Sequence, residues 1–329
     1  MTPAEILGAA MLGALVLYAL LGGADYGGGI WDLLASGPRA REQRALVERA
    51  IGPIWEANHV WLVLVVVVLF TGFPAAFAAI STRLFVPLTL LLLGIVLRGA
   101  AFTFRTYDTP RDEVQRRWGL VFSGSSLLAP MMLGVVVGTI ASGGRGSFSA
   151  FSLLTGLFAA GLFAFLAAAY LAVEAEGELR EDFRRRAIAA GAAVFLLAAA
   201  TAAASAREAP LVFRGLTGRA FSLPLHLATG AAALLAFAAL FRRRVRLARL
   251  AAAAQVALIV VGWGASQHPF LVVPDLTLES ASAPRNVQVL LAWALGAGAV
   301  VVFPCLYLLF RVFKGERPFS AIDRARDGP

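Results

Sequence analysis

Four side chains in the first hundred residues have the chemistry to move protons. Asp25 stands in LLGGADYGGGIWDLL, Glu56 and His59 in GPIWEANHVWL, and Arg98 in VLRGAAFTFR. Each lies in or at the end of an apolar run, where an ionisable group costs roughly 2.5–3.5 kcal/mol at a helix centre and is a functional candidate by default. Glu56 and His59 are three residues apart and so share one helix face. Two acids, an imidazole and a guanidinium at one membrane depth suit a proton relay, because a carboxyl withdrawn from water titrates closer to neutrality and imidazole already titrates there. The same set suits a static polar knot equally well, and Asp25 alone could be a carboxylate snorkelling to the interface. Asp32, seven residues after Asp25, shares its helix face and is expected nearer water. Gly22, Gly23, Gly27, Gly28 and Gly29 include small-xxx-small spacings, which let another backbone approach and displace lipid from around Asp25. Gly23 and Gly27 are expected to receive a helix of a partner protein.

Metal and haem chemistry finds few ligands. The histidines are His59, His226 and His268, and the topology below puts the first at one membrane face and the other two at the opposite face. Met131 and Met132 fall mid-span, at a different depth from His59. E-x-x-H occurs once, at 56–59, where a di-iron helical bundle needs it twice. The lone Cys305 provides no CxxC pair and no CxxCH haem attachment. The Gly-rich stretches 27–29 and 143–146 lack the strand-to-helix setting of phosphate-binding loops. This chain is therefore expected to bind no haem and no metal of its own.

The elements that must position these residues are membrane spans. Of 329 residues 59% are apolar and only 15% charged, with a mean hydropathy of +0.77, against about a quarter charged in soluble domains. Runs near 6–31, 53–79, 84–104, 118–141, 150–173, 187–206, 223–241, 247–265 and 287–310 match the length of a bilayer span. The fold class is all-α: a polytopic membrane protein of about nine transmembrane helices. It reads as a single integral membrane domain over 1–329, with helical bundles at 6–141 and 150–310 and a tail at 311–329. Of the basic residues 23 fall on one side of this topology and 6 on the other. The positive-inside rule then sets the N-terminus outside and the C-terminus in the cytoplasm. Spread over short loops, the net charge of +9 is no nucleic-acid patch. MTPAEILG lacks a basic n-region, so the first run reads as a retained span. Two longer outside loops, 207–222 and 267–286, echo each other weakly, as short Pro-bounded apolar loops do by chance.

GADYGGGIWDLL, ERAIGPIWEANHVWLV, VLRGAAFTFR and GWGASQHPFLVVPDLTLESASAP resemble subunit II of the cytochrome bd-type quinol oxidases, the cyanide-insensitive oxidase-like subunit II family. The resemblance covers nearly the whole chain, and the WEANHVW block is fairly specific. It implies a terminal respiratory oxidase of the bacterial inner membrane, a heterodimer in which subunit I carries haems b and d and oxidises quinol. This chain would be the haem-free half, with a structural quinone or lipid, lipid contacts and small single-span accessory subunits as further expectations. It also implies that Asp25, Glu56 and His59 belong to a cytoplasmic proton route, with Trp55, Asn58 and Arg98 around it. The chain departs from some relatives, which carry acids where Gly22 and Thr103 stand here; Asp108 is the candidate substitute. A proton-coupled transporter is the alternative reading, although transporters place substrate groups near the midplane on broken helices of repeated halves.

Overall fold

The computed structural model describes residues 1–51, 55–107, 112–144 and 146–314, with the side chains of 51–56, 106–107, 112–113, 115, 310 and 313–314 excepted. Asp108, Arg145, the tail beyond 314 and the side chains of Trp55 and Glu56 thus lie outside the described residues.

Helix α1 (Pro3–Leu33) starts at a capping box, in which the Glu5 amide donates to Thr2 Oγ1 and the Thr2 amide donates to Glu5 Oε2. Helix α2 (Ala40–Ile51) is a polar amphipathic helix inside what reads as a loop, and it buries Leu46 and Val47. A single turn, α3 (Trp55–Asn58), leads into α4 (Val60–Gly72) and α5 (Pro74–Arg83). These are followed by α6 (Phe85–Tyr107), α7 (Asp112–Ala141), α8 (Ala150–Glu174), α9 (Gly177–Glu208), α10 (Pro210–Gly218), α11 (Ser222–Phe241) and α12 (Val245–Gln267). A hairpin of β1 (Phe270–Val272) and β2 (Leu276–Thr277) precedes α13 (Arg285–Lys314).

Among the described residues, eight helices are long and apolar enough to cross a membrane, and the bent pair α4–α5 is the ninth candidate. All-α membrane architecture is therefore observed. The span read over 53–79 is not straight, however: α5 turns from α4 by 117°. Pro74 cannot donate into the α4 ladder, and Phe73 leaves helical geometry at φ −138°, ψ 60°. The carbonyl freed at Gly72 is taken by the Ala283 amide at 2.8 Å, so that group is satisfied within the chain. The echo between the two long loops is not structural, because 210–218 is a helix and 270–277 a hairpin.

Alanine-rich α8 is apolar on every side and forms the centre, packed by α1, α7, α9 and α12. At one end of the bundle the 35–39 turn and α2 are clamped to α9. Arg39 donates to both carboxylate oxygens of Asp182 at 2.8 and 2.6 Å, and Gln43 adds a bond to Asp182 while accepting one from Arg186. The opposite end is closed by α5, α10 and the hairpin, joined by the Arg83–Asp275 ion pair and by Arg219 donating to the Ala265 and His268 carbonyls. In α13 no residue of the most apolar stretch is fully buried, and Leu290, Trp293, Val300, Val301 and Tyr307 stand exposed, which leaves an apolar face for lipid or another protein.

Candidate functional site

Asp25 is carried by α1 into the bundle and is 7% exposed. Its Oδ2 accepts from Asn58 Nδ2 at 2.6 Å, a bond that ties α1 to the turn α3. Arg98, 2% exposed and reaching across from α6, donates from Nη2 to the Asp25 carbonyl and from Nε to Ser126 Oγ of α7, each at 3.2 Å. Its guanidinium lies over the Tyr26 ring at 5.0 Å and the Phe122 ring at 5.3 Å, so aromatic faces as well as polar atoms hold the buried cation. The Tyr18 and Tyr26 hydroxyls share a hydrogen bond of 2.9 Å. The His59 ring stands near both tyrosines, with centroids 6.0 and 6.2 Å away. Asp25, Asn58, Arg98 and His59, expected together, are thus brought together.

Two features differ from expectation. The glycine face of α1 is covered by the chain itself: a Cβ on Gly27 would stand 2.0 Å from the Phe163 carbonyl oxygen and 2.6 Å from Ala167 Cβ, and one on Gly23 would stand 2.6 Å from the Phe163 ring. The helix that approaches is α8, locked by the Trp31 indole donating to the Ala164 carbonyl at 2.7 Å. Asp32, expected nearer water, is 3% exposed. Arg105 Nη1 stands 3.1 Å from both of its oxygens and Ser123 Oγ donates to Oδ2 at 2.7 Å.

Tyr18, Tyr26, Ser123, Ser126 and Arg105 are the members that sequence reading missed. A signal existed: Tyr18, Asp25 and Asp32 recur at intervals of seven, as do Arg98 and Arg105, and seven residues is close to two helical turns.

The three histidines lie in separate settings. His59 packs among tyrosines, the His226 ring nitrogen bonds the Ser222 carbonyl at 2.7 Å, and His268 caps α12 at the bundle end opposite Asp32. Among the described residues no three His, Cys, Asp or Glu converge as metal ligands.

This arrangement of helices has solved and named counterparts. The bd oxidase structure from Geobacillus thermodenitrificans contains a chain that superposes with a TM-score of 0.81 at 22% identity, covering 95% of this chain and 99% of that one. A protein of Bacillus subtilis (strain 168) with the provisional name cytochrome bd menaquinol oxidase subunit II is 24% identical over 93% of this chain and 94% of its own length. The cytochrome bd-I ubiquinol oxidase subunit 2 of Escherichia coli (strain K12) is 28% identical over 56% of this chain and 52% of its own. Residues 4–313 match the profile of the cytochrome bd terminal oxidase subunit II family, and the chain belongs to that family.

Proposed function

We propose that this chain is the haem-free subunit of a quinol:oxygen oxidoreductase in the bacterial inner membrane, supporting assembly of a haem-bearing subunit I and supplying it with protons from the cytoplasm. The reaction of the complex is 2 QH2 + O2 → 2 Q + 2 H2O. Oxygen reduction consumes protons at the haems, and a membrane subunit can contribute by holding carboxyls that alternate protonation state between water and that site.

The observation that carries this reading is the buried Asp25 carboxylate, bonded to Asn58 and set beside the buried Arg98. A carboxyl withdrawn from water is expensive and is retained where it works or pairs. Glu56 follows one residue after the start of α3, the turn that carries Asn58 to Asp25, so its backbone is anchored beside this acid. The histidine environments support placing haems b and d in subunit I, and the exposed apolar face of α13 suits lipid, subunit I or a single-span accessory subunit. A transporter reading has no broken span in each of two matching halves to support it; the bent pair α4–α5 stands alone among the described residues.

The test is oxygen consumption at fixed haem content in the co-expressed complex. Glu56→Gln keeps size and hydrogen bonding but cannot titrate. It is expected to assemble with normal haem yet lose most turnover, with Glu56→Asp retaining part and Asp25→Asn affected more mildly. Loss of haem and partner together would make these residues structural anchors.

A further inference from the structure

Asp25 has a second tier beneath it. Along α1, Asp32 lies seven residues on, about 10.5 Å further along the axis at 1.5 Å per residue. Along α6, Arg105 follows Arg98 by the same interval, and α7, which runs antiparallel, supplies Ser126 to the upper tier and Ser123 to the lower. Phe122 lies beneath both guanidinium groups, 5.3 Å from that of Arg98 and 5.9 Å from that of Arg105. Each tier is therefore an acid, an arginine and a serine drawn from the same three helices.

The hydrogen bond between Asp32 and Ser123 can serve either protonation state of the carboxyl. Ser123 Oγ is 2.7 Å from Asp32 Oδ2 and 2.9 Å from the Gly119 carbonyl. A hydroxyl has one hydrogen and two acceptor lone pairs. When Asp32 is ionised the hydroxyl donates to it. When Asp32 is protonated the carboxyl donates to Ser123, whose hydrogen turns to Gly119. Both protonation states are thus satisfied at Ser123 with Ser123 in one place.

Among the described residues, Arg105 faces two anions of different exposure. Its Nη1 pairs with buried Asp32 at 3.1 Å, and its Nη2 is 3.7 Å from Glu48 of α2, whose side chain is 38% exposed. The three meet beside Val47, Phe102 and Phe122, which form apolar walls around them. Between the tiers stands Gly29, where an added Cβ would lie 2.1 Å from Ser126 Oγ. The absent side chain at Gly29 lets the Ser126 hydroxyl lie against α1.

We infer that Asp32 is the proton-accepting group at the water side of the Asp25 route, with Ser123 as its two-state partner and the Arg105–Glu48 pair as its lid. This rests on the proton-delivery reading above. A proton from water binds the Asp32 carboxylate; Arg105, its anion neutralised, moves toward Glu48; the proton leaves inward past Ser126 toward Asp25, and Asp32 returns to the carboxylate that recaptures Arg105. Asp32 lies among the described residues, whereas Asp108 does not.

The experiment uses the co-expressed complex, with oxygen consumption from a soluble quinol at fixed haem content. Asp32→Asn is expected to fall about tenfold, less than the 10²–10⁴ that a positioned proton-transfer group contributes where water has no other way in. Asp32→Glu is expected to recover most of the rate, a rescue that a merely structural carboxylate buried in fixed contacts would not give. Ser123→Ala, which keeps the ion pair, is expected to fall by a smaller factor. Asp32→Asn at full rate with Asp25→Asn slow overturns the inference and leaves proton delivery standing, whereas both at full rate sinks proton delivery itself. If Asp32→Asn fails to assemble because Arg105 is left unpaired, the neutral double variant Asp32→Asn with Arg105→Gln replaces it: normal haem with slow turnover supports the inference, and normal haem with full turnover refutes it. Should neither assemble, an unchanged rate in Ser123→Ala is the contradicting result.

Discussion

Replacing Gly27 by alanine asks whether α1 and α8 meet as closely as described. The new Cβ would lie 2.0 Å from the Phe163 carbonyl oxygen, 2.5 Å from its carbonyl carbon and 2.6 Å from Ala167 Cβ. Ordinary contact is about 3.5 Å, so the helices must part by more than about 1 Å, against a backbone that cannot rotate away. Overpacking of this kind costs about 1–3 kcal/mol and sometimes more. Alanine's better helix propensity returns about 1 kcal/mol. Gly13, on the same helix, has nothing within 4 Å of an added Cβ, so Gly13→Ala keeps the propensity gain and meets no clash. Heat-step survival of the purified complex, followed by size exclusion, is expected to rank Gly13→Ala at or above wild type and Gly27→Ala clearly below it. Gly23→Ala is expected between them, because its obstacle is the Phe163 ring, which can turn. Equal survival of Gly27→Ala and Gly13→Ala would refute the close approach and reopen the glycine face to a partner helix.

Further outcomes are expected. This chain purified alone should show no haem absorption while the complex does; stoichiometric haem in the isolated chain would contradict the haem-free assignment. Reporter fusions after Leu34 and at the C-terminus should score cytoplasmic, and fusions within 207–222 and 267–286 should score outside, with a reversed pattern refuting the orientation. Gly29→Ala should slow turnover at normal haem content, because its Cβ would displace the Ser126 hydroxyl; an unaltered rate would show that Ser126 has no part in conduction.

What could be read from the chain depended on how local the cause was. Nine apolar runs were legible because each span must satisfy its own backbone and cover it with apolar side chains. Asp25, Asn58, Arg98 and His59 were legible as polar residues where lipid penalises them. The bend after Gly72 was not, since the apolar run continues past Pro74 as AAFAAI and the compensating Ala283 amide comes from more than two hundred residues away. The direction of the glycine face was equally hidden: small-xxx-small spacing asks for a close neighbour and is silent on whether α8 or another protein supplies it. Asp32 read as a boundary residue because its cation belongs to α6 and its hydroxyl to α7. Only the seven-residue recurrence on two helices pointed to a second tier.

The central claim is that carboxyls in this subunit carry protons consumed in a haem-bearing partner. Stopped-flow mixing of the reduced complex with oxygen, in weak buffer with a pH dye, separates haem oxidation from proton uptake directly. Glu56→Gln and Asp25→Asn are predicted to bind oxygen and begin haem oxidation at the wild-type rate, then to take up protons more slowly, Glu56→Gln the slower of the two. Proton uptake at the wild-type rate in both variants, with haem content intact, would contradict the account.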